Sequence, residues 1–391
     1  PPPHPTRQSS SAASDVYKRQ ALHHIAPGEV WTRDEIERRQ REISHPRGSR
    51  TGLAWEVVES LPVSETIKTQ GSAYGEHIGA YRESLRNLAA CGLEVVCYNF
   101  MPILDWTRTD LAAAMSHGGT AMKFDLVDFA VFDLYLLERD AARNDFGPEI
   151  VGLAEERARG MTDAQKIALQ NNIVAGLPGA NDNWSIAQVR ELLDTYSGIS
   201  ADRLRRNLVD FLGEVAPLAE ELGLRLCCHP DDPPFSLLGL PRIMSSENDY
   251  ATVMEAVDLP SSGATFCTGS LGVSEHFDAP GFVERLGDRI HFVHLRNTTR
   301  LAPADAEKTS FYVAAHLEGD TDMVATVRAL VAEEERRRAK GQSDWRIPMR
   351  PDHGQHLLTD LQTETMPGYP LIGRMRGLAE LRGVMAACQH P

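Results

Sequence analysis

The stretch LRLCCHPDDPP at residues 224–234 decides the expected fold, because it is a short apolar run that ends in a histidine and two aspartates. The prolines that follow cannot continue a central strand, since proline has no backbone N–H to donate. Before this run, apolar residues recur at helical spacing from Leu204 to Leu222 and stop at Gly223. A helix that leads directly into a buried strand is typical of α/β folds, and here the strand ends at a potential metal ligand, His229.

Three later apolar runs also end in potential metal ligands. The runs are GATFCTG, IHFVHLRN and RIPMRPDHG, and their potential ligands are Cys267, His294 and Asp352. The successive intervals from His229 to Cys267, to His294 and to Asp352 are 38, 27 and 58 residues, about one βα unit each. In a parallel β/α barrel, the carboxyl ends of successive strands meet on one face. Two imidazoles, one thiolate and one carboxylate suit Zn²⁺, Fe²⁺ or Mn²⁺. We therefore expect these four residues to bind one divalent metal ion.

Each ligand taken alone has a simpler explanation. A single histidine at a strand end often only forms hydrogen bonds, and cysteines are often small buried hydrophobic residues. The repetition in four consecutive units favours the metal site. Cys228 directly precedes His229, so its side chain should point to the opposite face, into the core. By the same reasoning His291, three residues before His294, is expected to have a structural role.

Composition excludes some classes of partner. The chain has 391 residues and a formal net charge of −15, which argues against a nucleic acid or an anionic membrane as a partner. Its six cysteines show no disulfide framework, and neither a signal peptide nor a long apolar segment is visible. These features predict a cytoplasmic protein.

The texture of the sequence changes along the chain. Residues 1–20 are rich in proline and serine, and we expect a disordered, non-native tail there. Residues 21–391 are expected to form one catalytic domain. From about 121 to 200, helical pieces broken by glycine and proline predict a helical insertion.

Several motifs in a fixed order carry a family resemblance. They are CYNFMPILDWTRTDL (97–111), HPDDPP (229–234), GLPRI (239–243), CTGS (267–270), AAHLEGD (314–320) and RPDHG (350–354). Together they resemble the mannonate dehydratase family of metal-dependent sugar-acid hydro-lyases. The resemblance implies a TIM (β/α)8-type barrel, a Mn²⁺ or Fe²⁺ cofactor with Zn²⁺ not excluded, and dehydration of D-mannonate to 2-keto-3-deoxy-D-gluconate in hexuronate (glucuronate) catabolism.

The resemblance also implies roles for individual residues. His353, next to the expected ligand Asp352, and Tyr369, in the loop PGYP, match the histidine and tyrosine that the family uses for proton transfer. Which of the two is the base stays open. Five residues are candidates for binding substrate hydroxyls or carboxylate: Tyr98, Asn99, Arg108, Arg296 and His316.

One part of the family pattern is lacking. The family begins with a short strand, a helix and a second strand, and here residues 1–20 occupy that place, so the N-terminal strands are predicted to be missing or replaced. An inactive truncated barrel is therefore one alternative. A divalent-metal sugar isomerase or epimerase on the same barrel is another, and a zinc-stabilised protein without activity is a third. The expected partner is a small sugar acid, and a homo-oligomer remains open.

Overall fold

The computed structural model describes residues 21–45, 52–174 and 185–389. The predicted tail, and the N-terminal strands predicted to be missing or replaced there, lie outside the described residues. Two sheets are present in the described part, one of six strands in the order β1-β2-β5-β6-β7-β10 and one of four in the order β3-β4-β9-β8. The strands are β1 Val57–Glu59, β2 Val95–Tyr98, β3 Asp110–Ala114, β4 Thr120–Phe124, β5 Arg225–Cys228, β6 Ser262–Cys267, β7 Ile290–His294, β8 Asn297–Asp305, β9 Lys308–Ala314 and β10 Met349–Arg350.

Helices connect the strands of the larger sheet, as expected of an α/β fold. None of the helices among the described residues is both long enough and apolar enough to cross a membrane. The α-helices are α1 Arg33–Ser44, α2 Glu65–Thr69, α3 Tyr74–Ala90, α4 Leu126–Val131, α5 Pro148–Gly160, α6 Asp163–Val174, α7 Ile186–Asp194, α8 Ala201–Leu222, α9 Glu247–Ala256, α10 Thr268–Leu271, α11 Ala279–Leu286, α12 Met323–Ala339 and α13 Leu371–Gln389.

Helix α8 shows how the local sequence produces these elements. The Ser200 side chain accepts a hydrogen bond from the Arg203 N–H at its start, and Gly223 adopts φ +69° at its end. The predicted apolar stripe is buried against the sheet, with Phe211 and Leu212 fully inaccessible. Helix α1 begins after Thr32, whose side chain makes no capping hydrogen bond.

The six-stranded sheet is parallel throughout and curls so that its two outer strands approach each other. Glu59 at the end of β1 forms an ion pair with Arg350 at the end of β10, with 2.5 Å between Oε2 and Nη1. Side chains from four strands pack together on the concave face: Val57, Val95, Cys97, Cys227 and Phe292. The predicted parallel α/β architecture is therefore confirmed.

The register of the strands aligns their carboxyl ends. Tyr98 pairs with Cys228, Cys267 pairs with His294, and Arg350 pairs with the same His294. Residues that end or follow β5, β6, β7 and β10 therefore lie at one level of the sheet, because parallel neighbours in register end together.

The second sheet was not anticipated from the sequence. It is antiparallel, and β8 begins only three residues after His294, so the sheet continues from the carboxyl ends of the first one. The Phe124 and Phe311 rings stack across it at 5.6 Å between centroids. The segment predicted as a helical insertion from about 121 thus opens with part of strand β4, and its described helices run from Leu126 to Asp194.

Candidate metal centre and active site

Three of the predicted ligands converge at the carboxyl ends of adjacent strands. His229 follows β5, Cys267 ends β6 and His294 ends β7. One ligand atom from each of the three lies within 4.8 Å of the other two. His229 Nε2 and His294 Nδ1 are 3.2 Å apart. Two imidazole nitrogens and one sulfur so close together form a donor set that suits a divalent transition metal.

The outer nitrogens of both imidazoles face hydrogen-bond acceptors. His229 Nδ1 lies 2.7 Å from the Pro230 carbonyl oxygen, and His294 Nε2 lies 3.1 Å from Glu59 Oε1. Each of these nitrogens can keep its ring proton in that contact, so His229 Nε2 and His294 Nδ1 are the nitrogens that a cation would take, each giving up any proton it carries. Metal-binding histidines are usually oriented in this way, so the two rings fit a shared cation.

The cysteine is held in the form that binds metals. Burial by itself would raise the pKa of the Cys267 thiol, but the charge of Arg296 and hydrogen bonds to both histidines keep it well below its ordinary value. Burial disfavours a charge on His229 as well, yet its hydrogen bond to Cys267 raises the pKa of His229 to about 10. A thiolate is thus stabilised by neighbouring positive charge before any metal binds.

Asp352 lies beside the three converging residues. Its Oδ2 is 3.8 Å from His294 Nδ1 and 3.5 Å from Arg296 Nε, and its Oδ1 contacts Arg350. Burial would raise the pKa of this carboxyl, but its interactions with His353 and with the Arg350 and Arg296 guanidinium groups hold the pKa well below its ordinary value. The backbone of Asp352 has φ +59°, which aspartate adopts rarely, and Arg374 Nε fixes it by donating to the Asp352 carbonyl at 2.9 Å.

His353 and Tyr369 form a buried pair next to this carboxylate. His353 Nε2 lies 2.9 Å from the Tyr369 hydroxyl, and Arg296 Nη1 lies 2.8 Å from His353 Nδ1. Burial lowers the pKa of His353 well below its ordinary value, and Arg296 reinforces the effect, so the ring is neutral. Gly368 has φ +79°, and a Cβ there would lie 3.1 Å from His353 Cγ; this close approach positions the tyrosine loop on the histidine.

A buried cluster of charges supports these groups. Asp232 accepts from Arg108 Nη1 and Nη2 at 2.9 and 3.0 Å and from Arg296 Nη2 at 2.7 Å. The same Arg296 nitrogen donates to Ser270 Oγ at 2.9 Å. Arg108 also lies over the Phe311 ring, 4.8 Å from its centroid. The Asp232 carboxylate is thus shared by two buried guanidinium groups, and Arg296 connects it to His353.

The other predicted site residues lie around this centre in different ways. Tyr98 packs against Phe211 of α8 with 5.7 Å between ring centroids, on the helix-covered face of the sheet. Asn99 is half-buried directly after β2. His316 Nε2 lies 2.7 Å from the Pro351 carbonyl oxygen, and therefore holds the loop that carries Asp352. The structure brings His229, Cys267, His294, Asp352, His353, Tyr369, Arg108 and Arg296 together.

Two residues of the centre were missed in the sequence. Glu59 contacts both His294 and Arg350, and Arg350 contacts Asp352. A signal for Glu59 was present, because in the run WEVVES (55–60) an acidic residue, Glu59, directly follows two valines. Arg350 offers no comparable signal, since an arginine directly before a proline is compatible with any exposed loop.

Comparison with known proteins agrees with this geometry. The family model "D-mannonate dehydratase (UxuA)" matches residues 8–391. The mannonate dehydratase of Rhizobium meliloti (strain 1021) is 54% identical over 372 residues, covering 95% of this chain and 90% of the relative. Mannonate dehydratase 1 of Agrobacterium fabrum is 52% identical over 370 residues, with the same coverage of both chains. The crystal structure of mannonate dehydratase from Streptococcus suis serotype 2 superposes with a TM-score of 0.69 at 27% identity, covering 99% of this chain and 92% of that one. The chain therefore belongs to the D-mannonate dehydratase family.

Proposed function

We propose that this chain dehydrates D-mannonate to 2-keto-3-deoxy-D-gluconate, a step of hexuronate (glucuronate) catabolism. One observation carries the proposal: a buried His–Cys–His ligand set lies next to a neutral histidine that is hydrogen-bonded to a tyrosine. Dehydration removes a proton from C2 and hydroxide from C3, and the enol that results becomes the 2-keto acid. The reaction thus needs one group that accepts a proton and one that donates a proton to the departing hydroxyl.

His229 Nε2, Cys267 Sγ and His294 Nδ1 would hold a divalent cation, and we propose Asp352 as a fourth ligand. Mn²⁺ or Fe²⁺ is the proposed cofactor because of the family to which the chain belongs, with Zn²⁺ as the other candidate. The thiolate and imidazole donors suit Fe²⁺ and Zn²⁺ and do not by themselves select Mn²⁺. When bound, the ion would supply Lewis acidity to the carboxylate end of the substrate. The low pKa of Cys267 supports this assignment, because a metal ligand must be deprotonated.

His353 and Tyr369 are the proposed proton-transfer pair. A guanidinium can only donate, so His353 Nδ1 accepts from Arg296 and Nε2–H points to the Tyr369 oxygen. The tyrosine proton is then directed away from His353, where it can reach a departing hydroxyl. We propose that His353 takes the C2 proton on Nδ1, whose contact with Arg296 is then released, while Tyr369 gives its proton to the departing C3 hydroxyl and water leaves. The imidazolium then returns a proton from Nε2 to the tyrosinate, so the two residues act as one unit.

The remaining predicted binding residues are assigned from their contacts. Arg108 is engaged on both terminal nitrogens by Asp232, which supports a role in holding Asp232 and through it Arg296. Arg296, Asn99 and His316 stay candidates for contacts with the sugar acid. Tyr98 is buried and packs against the helix layer, so a packing role is better supported for it than direct contact with the substrate.

The fold and setting can be proposed in finer detail. We infer that the curled parallel sheet is part of a (β/α)8 barrel, supported by strands paired in chain order and by the superposition on the Streptococcus suis enzyme. All six cysteines are free, which supports the prediction of a reducing, cytoplasmic setting. A homo-oligomer remains a proposal.

A direct assay separates dehydration from isomerisation. The purified chain is incubated with Mn²⁺ and D-mannonate, and the 2-keto acid is measured beside loss of substrate. Metal-stripped protein and a Tyr369→Phe variant serve as matched controls. We expect keto acid to accumulate only with the loaded parent protein. Consumption of D-mannonate with formation of an isomer, or no turnover by fully loaded protein, would contradict the proposal.

A further inference from the structure

Glu59 ends the first described strand, and its two carboxylate oxygens face different partners. Oε1 lies 3.1 Å from His294 Nε2, and Oε2 lies 2.5 Å from Arg350 Nη1. The side chain is 9% exposed, and that of His294 is 1% exposed. A carboxylate this deeply buried is costly unless its charge is matched, so both contacts are needed to keep Glu59 ionised.

Glu59 lies on the outer side of His294, away from the other ligands. His294 Nε2 faces Glu59, whereas Nδ1, across the same ring, faces His229 Nε2 at 3.2 Å. One imidazole cannot present both nitrogens to a single ion, so Glu59 cannot bind the cation that His294 binds. The carboxylate can only act on that cation through the imidazole.

The position of the ring depends on this contact. The Phe292 ring meets His294 edge-on, with 4.7 Å between centroids and an interplanar angle of 86°. That apolar contact limits the tilt of the imidazole but does not determine which nitrogen carries the proton. The Glu59 carboxylate does determine which nitrogen is protonated. An ionised carboxylate can only accept hydrogen bonds, so the nitrogen that faces it must carry the proton.

We propose that Glu59 is a positioning residue for the metal centre, which holds His294 as the Nε2–H tautomer and so presents the Nδ1 lone pair to the cation. The inference rests on the proposed metal centre but not on the identity of the substrate. The carboxylate also makes the imidazole a stronger donor, as a carboxylate–histidine–metal arrangement does. A second consequence follows from Arg350: the same carboxylate joins strand β1 to β10, so one residue couples closure of the sheet to orientation of a ligand.

Metal affinity of substituted proteins tests this role. Co²⁺ is titrated into metal-free protein in competition with a chromophoric chelator, and the visible absorption of the loaded protein reports its coordination. Loss of a carboxylate behind a metal-binding histidine weakens metal binding about 10- to 100-fold, and we expect a loss in this range for Glu59→Ala. Glu59→Gln should lose less, because its amide oxygen can still accept the Nε2–H proton.

A matched control separates orientation of the ligand from loss of a buried charge. Glu333 on α12 is also a buried carboxylate, which accepts from Arg336 and Arg337. Glu333→Gln should lower the melting temperature but leave Co²⁺ affinity and the Co²⁺ spectrum unchanged. Glu59→Ala is expected to lower both the melting temperature and the affinity.

The outcomes distinguish this inference from the proposed function. If both Glu59 variants bind Co²⁺ as tightly as the parent protein, Glu59 is only a structural partner of Arg350 and the inference is overturned. It is overturned as well if the parent binds no Co²⁺. If the parent binds Co²⁺, Glu59→Ala weakens that binding and D-mannonate is still not dehydrated, the inference stands while the proposed function fails.

Discussion

The proton-transfer pair gives the sharpest kinetic prediction. A group that transfers a proton typically contributes about 10²- to 10⁴-fold, which is roughly 3–5 kcal/mol at 1.36 kcal/mol per tenfold. If His353 and Tyr369 acted independently, removing both would multiply these losses to about 10⁴- to 10⁸-fold. Their atoms are 2.9 Å apart and both groups are buried, so we expect them to act as one unit. The double variant His353→Asn/Tyr369→Phe should therefore lose about as much as the worse single variant.

The assay is kcat/KM for D-mannonate for the parent, both single variants and the double variant, with metal content measured in each sample. His356→Asn is a matched control, because His356 belongs to the same loop but bonds Thr365 Oγ1 at 2.9 Å. The control should retain activity, and all variants should retain metal. Losses that multiply in the double variant would refute the single unit, and a Tyr369→Phe variant with parental activity would remove the tyrosine from the reaction.

Three further predictions concern stability. Asp232→Asn should destabilise the fold by about 3–5 kcal/mol in urea unfolding, because two buried guanidinium groups lose their shared charge; a loss under about 1 kcal/mol would contradict the ion cluster. His291 Nε2 donates a hydrogen bond to the Pro260 carbonyl oxygen at 2.9 Å, and burial lowers the pKa of His291 from 6.5 to about 3. The pKa of His291 is lower in the folded than in the unfolded chain, so its contribution to the free energy of unfolding is present above pH 6.5 and is lost as the pH falls towards 3. Between pH 7 and pH 5, the free energy of unfolding of the parent should fall by about 2 kcal/mol more than that of His291→Gln. An equal pH dependence of the two proteins in urea unfolding would disprove this. Chelation of the metal should lower the melting temperature, because an ion bound only by the folded chain stabilises it, and an unchanged calorimetric transition would argue against a bound ion.

Regular elements of the fold could be predicted because their signals are local. The stripe that ends at Gly223 predicted helix α8, and the apolar runs that end at Cys267 and His294 predicted β6 and β7. The antiparallel sheet was not predicted, since β8 and β9 form a hairpin that alternates weakly, and β9 joins the rest of the sheet only by pairing with β4, far away in the chain. Strand β10 consists only of Met349–Arg350, so its own apolar residues give a weak signal. The potential ligand Asp352 that follows the strand was the better indication of its position.

The site could be predicted in part, for a reason that the strand geometry explains. Side chains at the ends of neighbouring parallel strands must converge, so the spacing of His229, Cys267 and His294 predicted that they lie together. That they bind a metal ion stays a prediction. Tyr98 was expected to bind substrate, but alternation along β2 turns it outwards, since the preceding Cys97 faces the concave side. Glu59 could not be identified as a site residue from the sequence, because a sequence does not show that strands β1 and β10 curl towards each other.

X-ray absorption spectroscopy at the metal edge of the Mn²⁺- or Fe²⁺-loaded protein tests the central claim most directly. That claim is a single cation bound by His229, Cys267 and His294. We predict one sulfur and two imidazole nitrogens in the first coordination shell, and loss of the sulfur contribution in Cys267→Ala. A first shell composed only of oxygen and nitrogen in the parent protein would contradict the account.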